Sequence, residues 1–183
     1  MPQELPIRIL GDLILRTKSQ EIALDDPQLT DLIPNMIHTM YLRDGVGLAA
    51  NQVGIAKRIV VIDPDWARDD VMEQDPIVMI NPVIHSREGE QQSEEGCISL
   101  PDIFAKVNRA QKISYSYTQP DGTRVSDTAE GFVAVVIQHE LDHLDAVVFT
   151  DHLGTLARLK ILPKLRELKA KAVDGVNIRQ DTV

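Results

Sequence analysis

The stretch from Phe132 to His143 (FVAVVIQHELDH) places the tightest limits on how this chain can fold. Two histidines four residues apart lie about 40° apart around a helix, so His139 and His143 can reach one ion, with Glu140 roughly 60° further round. Phe132, Val135 and Val136 in the apolar run project on the side of the two histidines, while Gln138, Asp142 and Asp145 form a separate polar stripe. The histidines therefore face an apolar interior, where an unpartnered imidazole is costly. A metal ion supplies a partner. The H-E-x-x-H pattern then points to metal-assisted hydrolysis, with Glu140 as the base. The same pattern also arises by chance on solvated acidic helices, so the rest of the chain has to decide.

At 183 residues the chain suits one domain with a sizeable core, and residues 1–183 are expected to form a single unit. Its one cysteine, Cys97, excludes an intrachain disulfide and fits a reducing compartment. Met1 to Pro6 lacks the basic and long apolar segments of a secretory signal, and no stretch nears the roughly 20 apolar residues of a membrane span. A cytoplasmic, monomeric protein with no membrane partner is expected. A net charge of −9 argues against DNA binding over the whole surface.

Residues 1–25 read as irregular wrapping structure with a turn at Leu10-Gly11-Asp12. From Pro27 to Leu42, Leu29, Leu32, Ile33, Met36, Ile37, Met40 and Tyr41 recur at helical spacing. Asp25 or Asp26 is the expected cap, and Pro34 predicts a kink or a short helix followed by a longer one. Gly45 to Gln52 breaks the pattern with glycines that allow unusual dihedrals and close approach of another chain. Lys57–Asp63 and Ile77–Ile80 read as strands, separated by an exposed loop from Pro64 to Pro76. Ile84 to Gln92 reads as a strand edge or loop. Lys112–Thr118 and Thr123–Thr128 alternate around Gln119-Pro120-Asp121-Gly122, a hairpin. The histidine helix is expected to open near Thr128, with Glu130 in its first turn.

A catalytic ion needs a third protein ligand. Downstream of the histidines, His152 falls outside the spacing known for zinc proteases, and Glu167 qualifies by distance alone in a basic amphipathic segment. Upstream stands Cys97, a thiol that with two imidazoles would make a soft site suited to Fe(II) or Zn(II).

Gly45-Val46-Gly47-Leu48-Ala49-Ala50-Asn51-Gln52, Glu95-Gly96-Cys97-Ile98-Ser99 and Gln138-His139-Glu140-Leu141-Asp142-His143 together resemble the three signature motifs of the peptide deformylases, in order and separation. The resemblance covers about residues 5–165. It implies an α+β fold, with antiparallel β-sheets packed around a central metal-binding helix, an N-terminal helix and a C-terminal helix. It further implies that Cys97, His139 and His143 hold Fe2+, with Zn2+, Ni2+ or Co2+ able to substitute. Glu140 would take the proton of the attacking water, and the Gln52 side-chain amide and Ile98 backbone N–H would steady the oxyanion. Substrates would be N-formylmethionyl nascent peptides, released as formate and a free amine. Gly47 would pair with the extended substrate and Gly96 would border it, while Val46, Phe132, Val135 and Val136 would line the methionine pocket. The alternative is a zinc endopeptidase sharing the H-E-x-x-H core.

Two departures stand out. Ala146 stands where many relatives have glycine, at a cost of about 1 kcal/mol if φ is positive there. Phe104 replaces an arginine of several relatives, which puts substrate contacts there in question. Arg109 is expected to pair with Glu95 or Asp142. From Thr155 to Ala172, six basic residues face a single acid, Glu167, and Leu156, Leu159, Leu162, Leu165 and Leu168 mark an amphipathic helix with a kink at Pro163. Near the ribosomal exit tunnel such a basic helix could dock on RNA.

Overall fold

The computed structural model describes residues 1–67 and 73–180. In chain order these form α1 (Leu29–Leu42), β1 (Gly47–Ala49), β2 (Ile59–Ile62), β3 (Ile77–Glu88), β4 (Gln91–Cys97), β5 (Leu100–Arg109), β6 (Lys112–Thr118), β7 (Arg124–Glu130), α2 (Gly131–Leu144) and α3 (Thr155–Ala170). One antiparallel sheet runs β1-β2-β3-β6-β7, and a second pairs β4 with β5. The fold is α+β, as expected, and among the described residues no helix is long and apolar enough to cross a membrane.

β2 explains how the layers assemble. Its four residues are fully buried, and the period of two sends them alternately to opposite faces. Ile59 and Val61 join a core with Met36 and Met40 of α1 and with Phe149. Val60 and Ile62 join another with Ala134, Ile137 and Leu141 of α2. Each such side chain contributes about 1.5–3 kcal/mol by leaving water. The apolar side of α2 is thereby fixed against the sheet, which sets where its histidines point.

Several boundaries differ from the sequence reading. α1 begins at Leu29 without a side-chain cap, because Asp26 uses its carboxylate on the Gln28 N–H one step earlier. It is one helix with Pro34 inside it, not a short helix and a longer one. β3 runs on to Glu88, past Asn81-Pro82, because a register shift between Ile80 and Val83 accommodates the residue that lacks an N–H. Asn81, at φ 51°, secures that bulge by bonding both backbone groups of Ile22. Of the Pro64–Pro76 loop, Pro64–Ala67 forms a 3-10 turn and residues 68–72 lie outside the described residues.

The hairpin of β4 and β5 was not expected. Ile103, Val107 and Arg109 point inward while Phe104, Lys106 and Asn108 point out, so the alternation is present but hidden by a buried charge. β7 reaches Glu130, whose carboxylate meets Lys112 at 2.9 Å. α2 therefore opens at Gly131, with φ 58°, and not at Thr128. In α3 only Leu165 and Leu168 of the five expected leucines are buried; Leu162 is half-buried, and Leu156 and Leu159 are 78% and 56% exposed. α3 continues through Pro163 as one helix.

Ala146 follows α2 at φ 66°, the left-handed region that disfavours a Cβ. Ala146→Gly should raise stability by about 1 kcal/mol and the midpoint by about 2–4 °C, read by thermal denaturation.

Candidate metal centre

Three elements converge at one end of α2. The helix presents His139, Glu140 and His143. The end of β4 presents Cys97, which pairs with Leu100 across a tight turn. A 3-10 turn over Ala50–Val53, just after β1, presents Gln52. Cys97 Sγ lies 3.2 Å from His143 Nε2, and single donor atoms of Cys97, His139 and His143 all fall within 4.8 Å of one another. Tetrahedral ligation at about 2.0–2.3 Å separates ligand atoms by roughly 3.3–3.6 Å. The three side chains therefore fit one divalent cation. His152 and Glu167 do not join them: His152 sits 2.7 Å from Asp142, and Glu167 pairs with Lys171 at 3.2 Å on α3. Among the described residues, neither downstream candidate that an endopeptidase would require belongs to the ligand cluster.

A buried chain of charge fixes the rings. His139 Nδ1 meets Glu95 Oε2 at 2.8 Å, which leaves its other nitrogen for the cluster. Arg109 holds Glu95 with two hydrogen bonds of 2.7 and 3.0 Å and also binds Asp142, so it pairs with both acids and not with one. The polar stripe of α2 is thus turned toward β5: Gln138, 5% exposed, exchanges hydrogen bonds with both backbone groups of Ala110. Burial favours the neutral form of Glu95, but Arg109 and His139 outweigh it and hold the carboxyl at about 2. Asn51 donates to the backbone carbonyl of His143, tying the loop after β1 to the same helix.

The electrostatics suit a thiolate. Burial resists charge on Cys97, but His143 and His139 prevail and pull the thiol down to about 5. Burial pushes Glu140 above the usual carboxylate range, countered in part by the two histidines. A carboxylate raised in this way is better matched to carrying a proton near neutral pH. Its position is tight, since a Cβ on Gly47 would lie 2.5 Å from Glu140 Oε1. Gly47 therefore has to be glycine. Gln52 is held by the Ala49 N–H at 2.8 Å and aims its Nε2 at Cys97 Sγ, 3.4 Å, and Ser99 Oγ, 3.2 Å.

These groups border a cavity of about 400 Å3. Val46, Gly47, Gly96, Ile98, Phe132, Val135 and Val136 all line it, beside His139 and Glu140. Sequence reasoning missed two things. Glu95 touches His139 directly, and His152 extends the chain beyond Asp142. The closeness of Glu95 to Cys97 in sequence was the available signal for the first; nothing local signalled the second. Phe104, whose substrate contacts the sequence put in question, does line the cavity, its ring 2.6 Å from where a Cβ of Gly96 would sit.

Residues 4–159 match the family model described as polypeptide deformylase. A peptide deformylase of Methylocella silvestris is 38% identical over 171 residues, covering 93% of this chain and 86% of the relative. The crystal structure of a peptide deformylase from Legionella pneumophila superposes with a TM-score of 0.81 at 36% identity, over 92% of this chain and 96% of that one. A Met-Ala-Ser-bound class I type b peptide deformylase from Acinetobacter baumannii gives 0.76 at 34% identity, over 84% of this chain and 100% of that one. With a family match over most of its length, and close relatives aligned nearly end to end, the chain belongs to the polypeptide deformylase family.

Proposed function

We propose that this protein removes the formyl group from the N-terminal formylmethionine of newly made polypeptides. The observation that carries the reading is the convergence of Cys97 with His139 and His143 beside the buried carboxylate of Glu140. Fe2+ is the cation proposed for the site, with Zn2+, Ni2+ or Co2+ as substitutes, since one thiolate and two imidazoles accept each of them. The ion would supply Lewis-acid activation of water and of the formyl oxygen.

The protein's own residues do the rest. Glu140 takes a proton from the attacking water as its oxygen bonds to the formyl carbon. Gln52 Nε2, with the Ile98 N–H, donates to the oxygen that gains charge, a contribution whose loss costs about 10²–10³ in turnover. The carbon–nitrogen bond then breaks, Glu140 returns the proton to the amine, and formate leaves. Val46, Phe132, Val135 and Val136 receive the methionine side chain, while Gly47 and Gly96 let the peptide backbone approach. The peptide bound by the Acinetobacter relative supports such a substrate class.

Formate release from formyl-Met-Ala-Ser by anaerobically prepared protein tests the reading. Cys97→Ala should lose both the ion and the activity. Metal content near normal in that variant, with peptide-bond cleavage in place of formate release, would instead favour an endopeptidase.

Cytoplasmic, monomeric action at the ribosome is proposed with it. The first half of α3 supports the ribosome docking alone, since Leu156 and Leu159 are exposed beside exposed Arg158 and Lys160 among the described residues. Arg158→Glu with Lys160→Glu should make ribosome co-sedimentation less salt-dependent, the slope of log K against log salt falling by about one to two units. An unchanged slope removes the docking idea.

A further inference from the structure

A second cavity, of about 660 Å3, adjoins the first and shares Pro101 and Arg179 with it as wall residues. Pro101 directly follows Leu100, the partner of Cys97 across the β4–β5 turn, so the shared wall stands close to the metal cluster. The far wall is the segment after α3, and it is firmly built. Asp174 and Gly175, at φ 50° and 77°, make a two-residue turn in which Val173 and Val176 exchange both backbone hydrogen bonds at 2.9 Å. Beyond it, Ile9 N–H donates to Asn177 O and Arg179 N–H to Ile7 O. Asn177, 6% exposed, donates its side-chain amide to the carbonyls of Leu10 and Leu168.

This rigid hairpin nevertheless holds apolar surface in water. Val173 is 71% exposed and Val176 45%, and Leu13, 66% exposed, lies against Gly175. A fixed apolar patch on the rim of a groove is the mark of a surface that receives something. The residues lining this groove include no acid and two cations, Arg179 and Lys171, the latter in a solvent-exposed pair with Glu167 that a substrate carboxylate can exchange with, on a protein whose net charge is −9.

We infer that the groove carries the downstream part of the substrate polypeptide, from about the fourth residue onward, and favours apolar and acidic residues there. The inference rests on the deformylase reading of the first cavity. A formyl end placed at Cys97, His139 and His143 sends the extended chain outward, and the shared wall at Pro101 and Arg179 is continuous with the second groove. Pro101 has no N–H to pair with a passing strand. Beyond it, recognition passes from backbone pairing to the apolar side chains of Val173 and Val176, with Lys171 at the edge.

The test compares kcat/KM for formyl-Met-Ala-Ser with that for a nonapeptide of the same start, continued as Val-Ile-Glu-Val-Ile-Glu. The nonapeptide should win by about five- to tenfold through a lower KM. Val173→Asp and Val176→Asp should each remove most of that advantage while leaving the tripeptide constants unchanged, and lysine in place of both glutamates should lessen it in the unaltered protein. Equal constants for the two lengths, an advantage that survives both aspartate variants, or one that rises with protein concentration (a second copy of the chain in the groove) overturns the inference. Tripeptide hydrolysis reports on the deformylase reading alone, so the two ideas fail separately.

Discussion

Glu140→Gln should lower formate release by about 10²–10⁴-fold while the protein still takes up its ion. Glutamine matches the shape of glutamate, so the close fit against Gly47 survives. What it lacks is basicity. Glu140 Oε2 is buried and makes no hydrogen bond in the described structure, so its oxygen is not needed to hold neighbouring elements together. The loss should therefore fall on kcat, with KM and metal content close to those of the unaltered protein. Metal analysis beside steady-state kinetics separates the outcomes. Loss of the ion would make Glu140 a ligand, and near-normal kcat would assign proton transfer elsewhere.

Arg109→Met should destabilise the fold by about 3–5 kcal/mol, because it leaves acids in the interior without their cation. The Arg109 side chain is 3% exposed, that of Glu95 4% and that of Asp142 19%. Glu95 also orients His139, so metal affinity should fall by about 10–100-fold as well. Arg109→Lys should not restore either property, since an ammonium cannot replace the two-pronged bond to Glu95 together with the reach to Asp142. Urea unfolding and chelator competition measure the two effects. A variant within about 1 kcal/mol of the parent, with its metal affinity unchanged, would show that the buried chain of charge is ornamental.

The legible parts of the sequence were those whose partners are local. The hairpin of β6 and β7 announces itself by alternation around Pro120-Asp121-Gly122, and α2 by an apolar run ending in spaced histidines. β4 and β5 did not, because the inward residues at the key positions are Glu95 and Arg109. Each is satisfied by the other and by α2, with His152 also beside Arg109, which no local pattern can show. The leucines of α3 recur strictly every third residue, a spacing that turns about 60° back per step against the 3.6-residue helix, so buried Leu165 lies on the face opposite exposed Leu156. At the site, the histidine pair and Glu140 follow from spacing. Cys97 as their companion, and Gln52 beside it, came from the resemblance of three separated motifs, since 41 residues of intervening chain stand between Cys97 and His139.

β1 and β4 belong to different sheets, yet both border the same cavity. Each has one flank already paired, to β2 and to β5 respectively, and among the described residues no strand pairs with the other. Across the gap the ties at this point are side-chain reaches, such as Gln52 to Ser99. The gap is thus a seam whose width is set by torsions and not by a ladder. A strand-like occupant would zip both open flanks together, coupling how tightly a peptide is gripped to how stiff the whole molecule becomes.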